Sequence, residues 1–233
     1  MAVITERGTK VGASSLWRLV LRLATLAVGL SVVFLALWFI RRDALRYLDW
    51  SPATFQRFWP NRGLLAVHVV GACVALLVGP IQFIAPLRRA APRAHRAAGW
   101  TYAIAVLVST PFAIRLSVYS NCALCVSPFV VWGLVTMLVT VAAVITVVRG
   151  NYRVHRDFMI RSYALMYGFV FVRLDAHLVG TPFEIPLASG AARNSMVIWL
   201  AWVIPLVVVE FFISWGPAVR RAFRTKRATP SAA

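Results

Sequence analysis

The run LATLAVGLSVVFLALWFI, residues 23–40, is eighteen residues long and carries no charge. A helix needs about 20 mainly apolar residues to cross a bilayer. Further apolar runs of similar length follow along the chain, which is 61% hydrophobic and 14% charged, with a mean hydropathy of +0.77. We therefore expect an all-α protein, a polytopic membrane bundle of about six transmembrane helices with no large extramembrane domain.

The ends of the apolar runs divide the chain into three parts. Residues 1–16 are predicted to be a cytoplasmic segment, residues 17–216 the transmembrane domain, and residues 217–233 a basic, disordered cytoplasmic tail. The first span is expected to stay uncleaved, because Arg41 and Arg42 follow it where a signal peptide would have small residues. The predicted spans cover about residues 17–40, 63–86, 98–118, 128–148, 158–180 and 195–215.

The charge is strongly basic, with 25 Lys and Arg against seven Asp and Glu and a formal net charge of +18. The cations lie beside the apolar runs, where anionic lipid head groups attract them, so a lipid bilayer is the expected partner and nucleic acid is not. With both termini inside, 16 of the cations fall in inner segments and seven in outer ones. The positive-inside rule therefore predicts an N-in/C-in topology.

The four histidines pair by their predicted depth. His68 and His177 lie near the outer ends of spans two and five, and His95 and His155 lie at the inner surface. Imidazole pairs at matched depth are what a b-type haem or another transition metal requires. Arg173, on the same stripe of span five as His177, could contact a haem propionate. The alternatives are structural histidines, bonded within the bundle or to lipid, and a proton-relay or substrate role.

Two further charges fall at similar depth inside the predicted membrane region, Arg161 in span five and Glu210 in span six. Unpaired charges are costly in a bilayer, so we expect these two to form an ion pair, or Arg161 to bind an anionic ligand. Snorkelling of Arg161 to the inner surface is the alternative. Asp157 is expected in the first turn of span five, where the helix dipole favours an anion and Arg161 follows at i+4.

The stretch NCALC, residues 121–125, is predicted to lie outside. Cys122 and Cys125 could form a local disulfide or a redox-active pair, or they could be incidental. The spacing is not a c-type haem attachment motif, because Val126 follows where that motif has histidine.

Three motifs carry a family resemblance: HVVGACVALLVGPIQF (68–83), HRAAGWTY (95–102) and HRDFMIRSYAL (155–165). The chain resembles the bacterial membrane proteins grouped as domain of unknown function 2306 (DUF2306). The likeness covers about residues 60–180. It implies a multi-helix protein of the cell's inner (cytoplasmic) membrane, and it implies no known ligand and no assigned activity. The last two motifs also repeat one another, since His95-Arg96 precedes His155-Arg156 by sixty residues.

Two functional hypotheses follow from these residues. The leading one is a haem- or metal-binding protein of transmembrane redox chemistry, with His68 paired to His177 and His95 paired to His155. The other is a non-redox transporter or membrane scaffold, in which Arg161, Glu210 and Arg173 line a polar path or brace the bundle. The sequence contains no nucleotide-binding loop, zinc-protease motif or serine nucleophile elbow, so it predicts no enzyme class.

Overall fold

The computed structural model describes residues 10–181 and 190–226, and the side chains of residues 15–181 and 190–223. Within these ranges every regular element is helical, which confirms the predicted all-α bundle. The helices are α1 (Lys10–Phe39), α2 (Pro52–Phe55), α3 (Arg62–Gln82), α4 (Ala85–Ala90), α5 (Pro92–Ser117), α6 (Ala123–Val148), α7 (Tyr152–Leu178), α8 (Gly190–Glu210) and α9 (Gly216–Lys226).

Five of the described helical segments are long and apolar enough to cross a membrane. They contain α1, α3, α5, α6 and α8, which correspond to five of the six predicted spans. The remaining span corresponds to α7, whose 27 residues are long enough, although its composition is too polar for it to qualify as a span by itself.

Helix α7 lies at the centre of the bundle, in contact with α1, α3, α6 and α8. Its first turn contacts the C-terminal part of α6, through His155 and Ala143. Its last turns contact the end of α1 and the start of α8, through His177 and Asp175. The helix therefore crosses the same layer as its neighbours, and the polar groups at its middle, Ser162, Tyr163 and Tyr167, are buried among protein rather than exposed to lipid, as such groups require.

Glycine allows two of these helices to approach closely at mid-bundle. A Cβ atom placed on Gly79 of α3 would lie 2.3 Å from the Tyr163 ring of α7. In the same region Tyr163 donates a hydrogen bond to the Leu76 carbonyl of α3, with a distance of 3.3 Å between the oxygens. Small residues at such crossings permit backbone contact between membrane helices, where the hydrophobic effect gives no driving force.

Helices α5, α6, α7 and α8 each begin five or six residues earlier than the predicted spans. Helix α5 begins at Pro92, because proline is well suited to the first turn of a helix, so His95 lies inside that helix instead of in a loop. Residues 217–226 are helical, not disordered, since α9 alternates basic and apolar side chains at helical spacing. The rest of the predicted tail, residues 227–233, lies outside the described residues.

Short helical turns between α1 and α3 form a cap at one end of the bundle. Phe55 is buried there against Tyr47, Trp50 and Trp59. In the same cap Asp49 Oδ2 accepts hydrogen bonds from Thr54 and Ser51, which lower the pKa of its carboxyl group below the ordinary value. We call this end of the bundle the outer end, following the predicted topology, and the opposite end the inner end.

Candidate functional site

An open pocket of about 1000 Å³ lies at the inner end, between the end of α3, the start of α5, the end of α6 and the start of α7. We call it the inner pocket. Its wall is partly apolar, with Trp100 of α5 and Met159 of α7 among the contributing side chains. Its polar and charged lining residues are Gln82, Arg88, His95, Arg96, Tyr152, Arg153, His155 and Arg156.

Two imidazoles face this pocket from equivalent positions, since His95 is the fourth residue of α5 and His155 the fourth residue of α7. The two side chains are close enough to interact electrostatically. His155 Nδ1 lies 2.8 Å from the Ala143 carbonyl oxygen and donates to it, because a carbonyl can only accept. The Nε2 atom of His155 is thereby left available to a ligand. The His95 ring has no hydrogen-bond partner among the described residues, while its backbone N–H donates to the Ala91 carbonyl, so both ring nitrogens are available.

Three of the four arginines that line the inner pocket lack carboxylate partners among the described side chains. No carboxylate lines it, and Arg88, Arg96 and Arg153 have no acidic partner within the described side chains, whereas Arg156 is bonded to Asp157. Gln82 is only 7% exposed, and its Nε2 donor has no partner. A buried amide without a hydrogen bond costs roughly 1–3 kcal/mol, so the pocket is suited to a ligand with acceptor oxygens.

A second, smaller cavity of about 270 Å³ lies toward the outer end, among α3, α5, α6 and α7. We call it the outer cavity. Phe129, Trp132 and Phe169 give it aromatic walls. Its polar and charged lining residues are Tyr47, Arg57, His68, Ser109, Thr110, Ser117, Ser120, Thr136 and Arg173.

The predicted outer histidine pair is not assembled around either pocket. His68 lines the outer cavity, and its Nδ1 lies 3.2 Å from the Ser109 carbonyl oxygen. His177 lines none of the cavities described, because α7 turns it toward α1. There its Nε2 donates to Asp43 Oδ2 at 3.1 Å, and its ring packs edge-on against Trp38 at 5.0 Å. Both imidazoles therefore already have protein partners.

Arg161 and Glu210 lie together near the inner end, on the side of α7 that faces α8. Arg161 donates to both carboxylate oxygens of Glu210, and its Nη2 also donates to Ser214 Oγ at 2.9 Å. Ser214 in turn donates to Glu210 Oε2 at 2.7 Å. Asp157 is not part of this cluster of hydrogen bonds, since Oδ1 of Asp157 accepts from the adjacent Arg156. The arrangement connects the helix ends and faces neither the inner pocket nor the outer cavity.

A second ion pair, which the sequence reading missed, connects α7 to α8 at the outer end. Arg193 is 9% exposed and donates to both oxygens of Asp175, at 2.9 and 3.0 Å. Close by, Cys122 and Cys125 are joined in a disulfide at the start of α6, with Cα atoms 5.2 Å apart. The sequence did contain a signal for this ion pair, because Asp175 and Arg193 lie near the facing ends of consecutive predicted spans.

A fully buried set of hydroxyl groups separates the two cavities. The Oγ atom of Ser162 lies 2.9 Å from the Tyr102 hydroxyl and 2.7 Å from Thr140 Oγ1. Neither the inner pocket nor the outer cavity is lined by these three residues. We call Tyr102, Thr140 and Ser162 the hydroxyl layer. It satisfies polar groups in the middle of the bundle, where no water is present to do so.

Residues of the three sequence motifs therefore line the two cavities and form most of the hydroxyl layer. The cavity residues are His68 and Gln82 from the first motif, His95 from the second and His155 from the third. Tyr102 of the second motif and Ser162 of the third belong to the hydroxyl layer. The family described as "Predicted membrane protein (DUF2306)" matches residues 65–213, more than half of the chain. The chain belongs to the DUF2306 family. No curated protein and no solved structure matches it.

The part of this DUF2306 protein that matches the family contains all four histidines, Arg161, Arg173 and Glu210. Asp43, the partner of His177, lies outside the matched residues. Across the described side chains there is no group of three or more His, Cys, Asp or Glu that could bind a metal ion. Residues 15–181 and 190–223, whose side chains the structure describes, therefore offer at most pairs of such ligands to a metal.

Proposed function

We propose that this DUF2306 protein binds an iron porphyrin of the b-haem class in the inner pocket and takes part in membrane redox chemistry. The observation that carries the proposal is the shared exposure of His95 and His155 to one pocket whose other charged residues are arginines. In this proposal His95 and His155 would hold the iron through their ring nitrogens. The bound iron would supply one-electron transfer, and the protein would supply its position, ligands and surroundings.

The number of ligands favours a porphyrin over a bare metal ion. Structural zinc and most other protein-bound transition metals take three or four protein ligands. The described residues offer no such group, but they do offer two imidazoles at one pocket. A porphyrin brings four equatorial nitrogen ligands of its own and needs only axial ones. Two histidines are therefore sufficient for a haem and insufficient for an isolated ion.

The hydrogen bond of His155 supports the same assignment. Metal-ligating histidines almost always donate their other ring N–H to a carboxylate, a backbone carbonyl or water, which fixes the tautomer and raises ligand basicity. His155 donates Nδ1–H to the Ala143 carbonyl and leaves Nε2 for the ligand. Gly99, one turn after His95, also lines the pocket, where a Cβ atom in its place would lie 3.4 Å from Gln82 Oε1.

The charge around the pocket matches the two propionates of a haem. Arg88, Arg96 and Arg153 line the pocket with no carboxylate partner among the described side chains. Arginine binds carboxylates through paired, charge-assisted hydrogen bonds. The buried, unpartnered amide of Gln82 adds one further donor. We assign the propionates to this basic rim and the porphyrin ring to the apolar wall formed by side chains such as Trp100 and Met159.

Absorption spectroscopy of the purified full chain tests the proposal. The protein is expressed with ample haem supply, purified in detergent, and then titrated with hemin. We expect a Soret band and about one haem per chain by pyridine haemochrome assay. His155→Ala and His95→Ala are each expected to abolish or strongly weaken the band, because each removes an axial ligand. His177→Ala is the matched control, since its ring contacts Asp43 and Trp38 and should leave the spectrum unchanged.

Circular dichroism and size-exclusion chromatography establish that each variant remains folded. A folded wild-type chain that takes up no hemin, or a Soret band that survives both His95→Ala and His155→Ala, would overturn the proposal. A further experiment adds zinc ions alone. If the protein takes up no hemin but binds zinc stoichiometrically, and this binding is lost in His155→Ala, the ligand is a bare metal ion and not a porphyrin. Loss of the band in His177→Ala alone would move the site to the outer end.

The second candidate function is the non-redox transporter or scaffold. Its supporting observation is the outer cavity, which contains Arg173 and is separate from the inner pocket, together with the Arg161–Glu210 contact that joins α7 to α8. A stable, colourless protein that does not bind hemin would favour this candidate over the haem protein.

We also propose that the protein resides in the inner (cytoplasmic) membrane with both termini inside and with α9 against anionic lipid head groups. The support is the excess of cations in the segments assigned to the inner side and the basic, amphipathic character of α9, which includes Arg220 and Arg221. Cysteine-accessibility labelling of single-cysteine variants at the two termini tests the topology. Labelling of either terminus from outside intact cells would contradict it.

A further inference from the structure

The outer cavity contains a cation without a partner. Arg173 lines it, and its guanidinium has no hydrogen-bond or carboxylate partner among the residues that the structure describes. Its Nε is buried and unsatisfied. The described contact of the group is with the Phe169 ring, whose centroid lies 5.3 Å from the guanidinium carbon. A cation at membrane depth is costly unless it is paired, and a single cation–π contact offsets only part of that cost.

Two carboxylates at this end of the bundle, Asp43 and Asp175, already have partners. Asp43 accepts a hydrogen bond from His177, and Asp175 accepts two from Arg193. Asp43 and Arg173 both line a separate void of about 30 Å³, which has space for little more than a water molecule. Neither acid therefore pairs directly with Arg173. The larger space beside the Arg173 guanidinium is the outer cavity.

The rest of the cavity fits a small ring. Phe129, Trp132 and Phe169 supply aromatic walls, and the lining is mainly apolar with a few hydroxyl groups. Its volume of about 270 Å³ is near the lower end of the range for small-molecule sites. Of the two arginines that line the cavity, Arg57 is exposed and stacks on Phe58, whereas Arg173 is half-buried. Such a site, mainly apolar with a half-buried cation at Arg173, favours a ligand with an apolar body and a negative charge.

We propose that the outer cavity is a binding site for a small organic anion of about the size of benzoate, with its carboxylate on Arg173 and its ring against Phe169 and Trp132. His68 lies beside the same guanidinium, and because its Nδ1 donates to the Ser109 carbonyl, its Nε2 remains free to contact the ligand. The site is separate from the inner pocket, so this inference stands whether or not the inner pocket binds haem.

Fluorine NMR with 4-fluorobenzoate as the probe tests the site in the full chain in neutral detergent. We expect saturable binding that is weakened at least tenfold in Arg173→Gln and less in Arg173→Lys, because lysine retains the charge but not the planar fork. Arg115→Gln is the matched control. Arg115 is an exposed arginine near the outer end of α5 that stacks on Tyr119 and does not line the cavity, so its loss should leave binding unchanged.

Further measurements distinguish binding in the outer cavity from nonspecific binding of the probe. The neutral probe 4-fluorobenzamide should bind at least tenfold more weakly than 4-fluorobenzoate. Ala113→Leu fills the cavity without removing a charge and should also weaken 4-fluorobenzoate binding, with the chain still folded by circular dichroism. Asp43→Asn should preserve or strengthen binding, since it removes a negative charge near the site.

Equal affinity for the amide and the carboxylate would overturn the proposal. Unchanged binding in a folded Arg173→Gln variant would do the same. A lipid head group presents similar anionic chemistry, so phosphatidylglycerol is added to the micelles as a competitor. Full displacement of 4-fluorobenzoate by that lipid would contradict a site for a free small acid.

Discussion

The outer and inner ends of the bundle differ in how their charges are compensated. At the outer end Asp43 and Asp175 are bonded to His177 and Arg193, and the remaining space is a small cavity lined by the exposed Arg57 and the half-buried Arg173. At the inner end a pocket almost four times as large is lined by several arginines and no carboxylate. A chain with 25 cations and seven acids cannot pair all its charges, so the places where free cations converge indicate where anions bind.

The largest expected effect concerns the outer ion pair. Asp175→Ala removes the carboxylate from Arg193, a side chain that is 9% exposed, and should destabilise the protein by about 3 kcal/mol. Asp157→Ala at the inner end is the control and should cost less than about 1 kcal/mol, because the Arg156 side chain it contacts is 62% exposed. Denaturant unfolding in micelles, followed by tryptophan fluorescence, measures both. Equal losses would show that the outer pair is no more important to stability than a surface pair.

The crossing of α3 and α7 between the two ends provides the next test. Gly79→Ala would place a Cβ atom 2.3 Å from Tyr163 Cδ2, and the required shift should cost about 2 kcal/mol. Gly63→Ala in the same helix has no atom within 4 Å of the new Cβ and should be neutral or slightly stabilising. The same unfolding assay distinguishes the two. A neutral Gly79→Ala would mean that the two helices have room to separate at mid-bundle.

A single arginine at the inner pocket should change ligand affinity without changing stability. Arg88→Gln is expected to weaken hemin binding about tenfold, or about 1.4 kcal/mol, by removing a charge-assisted contact. The unfolding midpoint should not move, since Arg88 is exposed and makes no ion pair in the described part of the chain. The neighbouring Arg89→Gln is the matched control, because Arg89 does not line the pocket. Equal effects of the two substitutions on hemin titration would remove Arg88 from the site.

The smallest expected effect concerns the hydroxyl layer. Ser162→Ala removes a hydroxyl that bonds to both Tyr102 and Thr140, and it should cost about 1 kcal/mol, because single hydrogen bonds between membrane helices contribute little. Thr25→Ala on exposed α1 loses only a bond to the Leu21 carbonyl of its own helix and should be neutral. A loss of several kcal/mol for Ser162→Ala would mean that the layer governs the stability of the whole bundle.

The bundle itself was predictable from the sequence, because uninterrupted apolar runs of membrane length leave few alternatives to helices. The proximity of Arg161 and Glu210 was also accessible, since two charges at similar predicted depth have strong reason to meet. Depth alone does not fix which way a helix faces. Predicted depth therefore could not show that His177 turns toward Asp43, in the turn that extends α1, while Arg173, four residues earlier, lines the outer cavity.

Other residues were missed because the sequence carried too little signal. Gln82 is the last residue of an apolar helix, where an amide is unremarkable until its burial and lack of a partner are seen. Asp43 lies three residues beyond the predicted first span, 17–40. In the structure it belongs to a π-helical turn, Ile40–Ala44, that extends α1 and directs the carboxylate at α7. An irregular turn of this kind depends on tertiary contacts that local sequence does not specify.

The polarity of α7 has a consequence for how the chain is made. Arg161 precedes its partner Glu210 by 49 residues, so the ribosome completes α7 before the neutralising carboxylate exists. A helix with a charge at membrane depth partitions poorly into lipid by itself. We therefore expect α7 to enter the bilayer together with α8, which carries the compensating carboxylate.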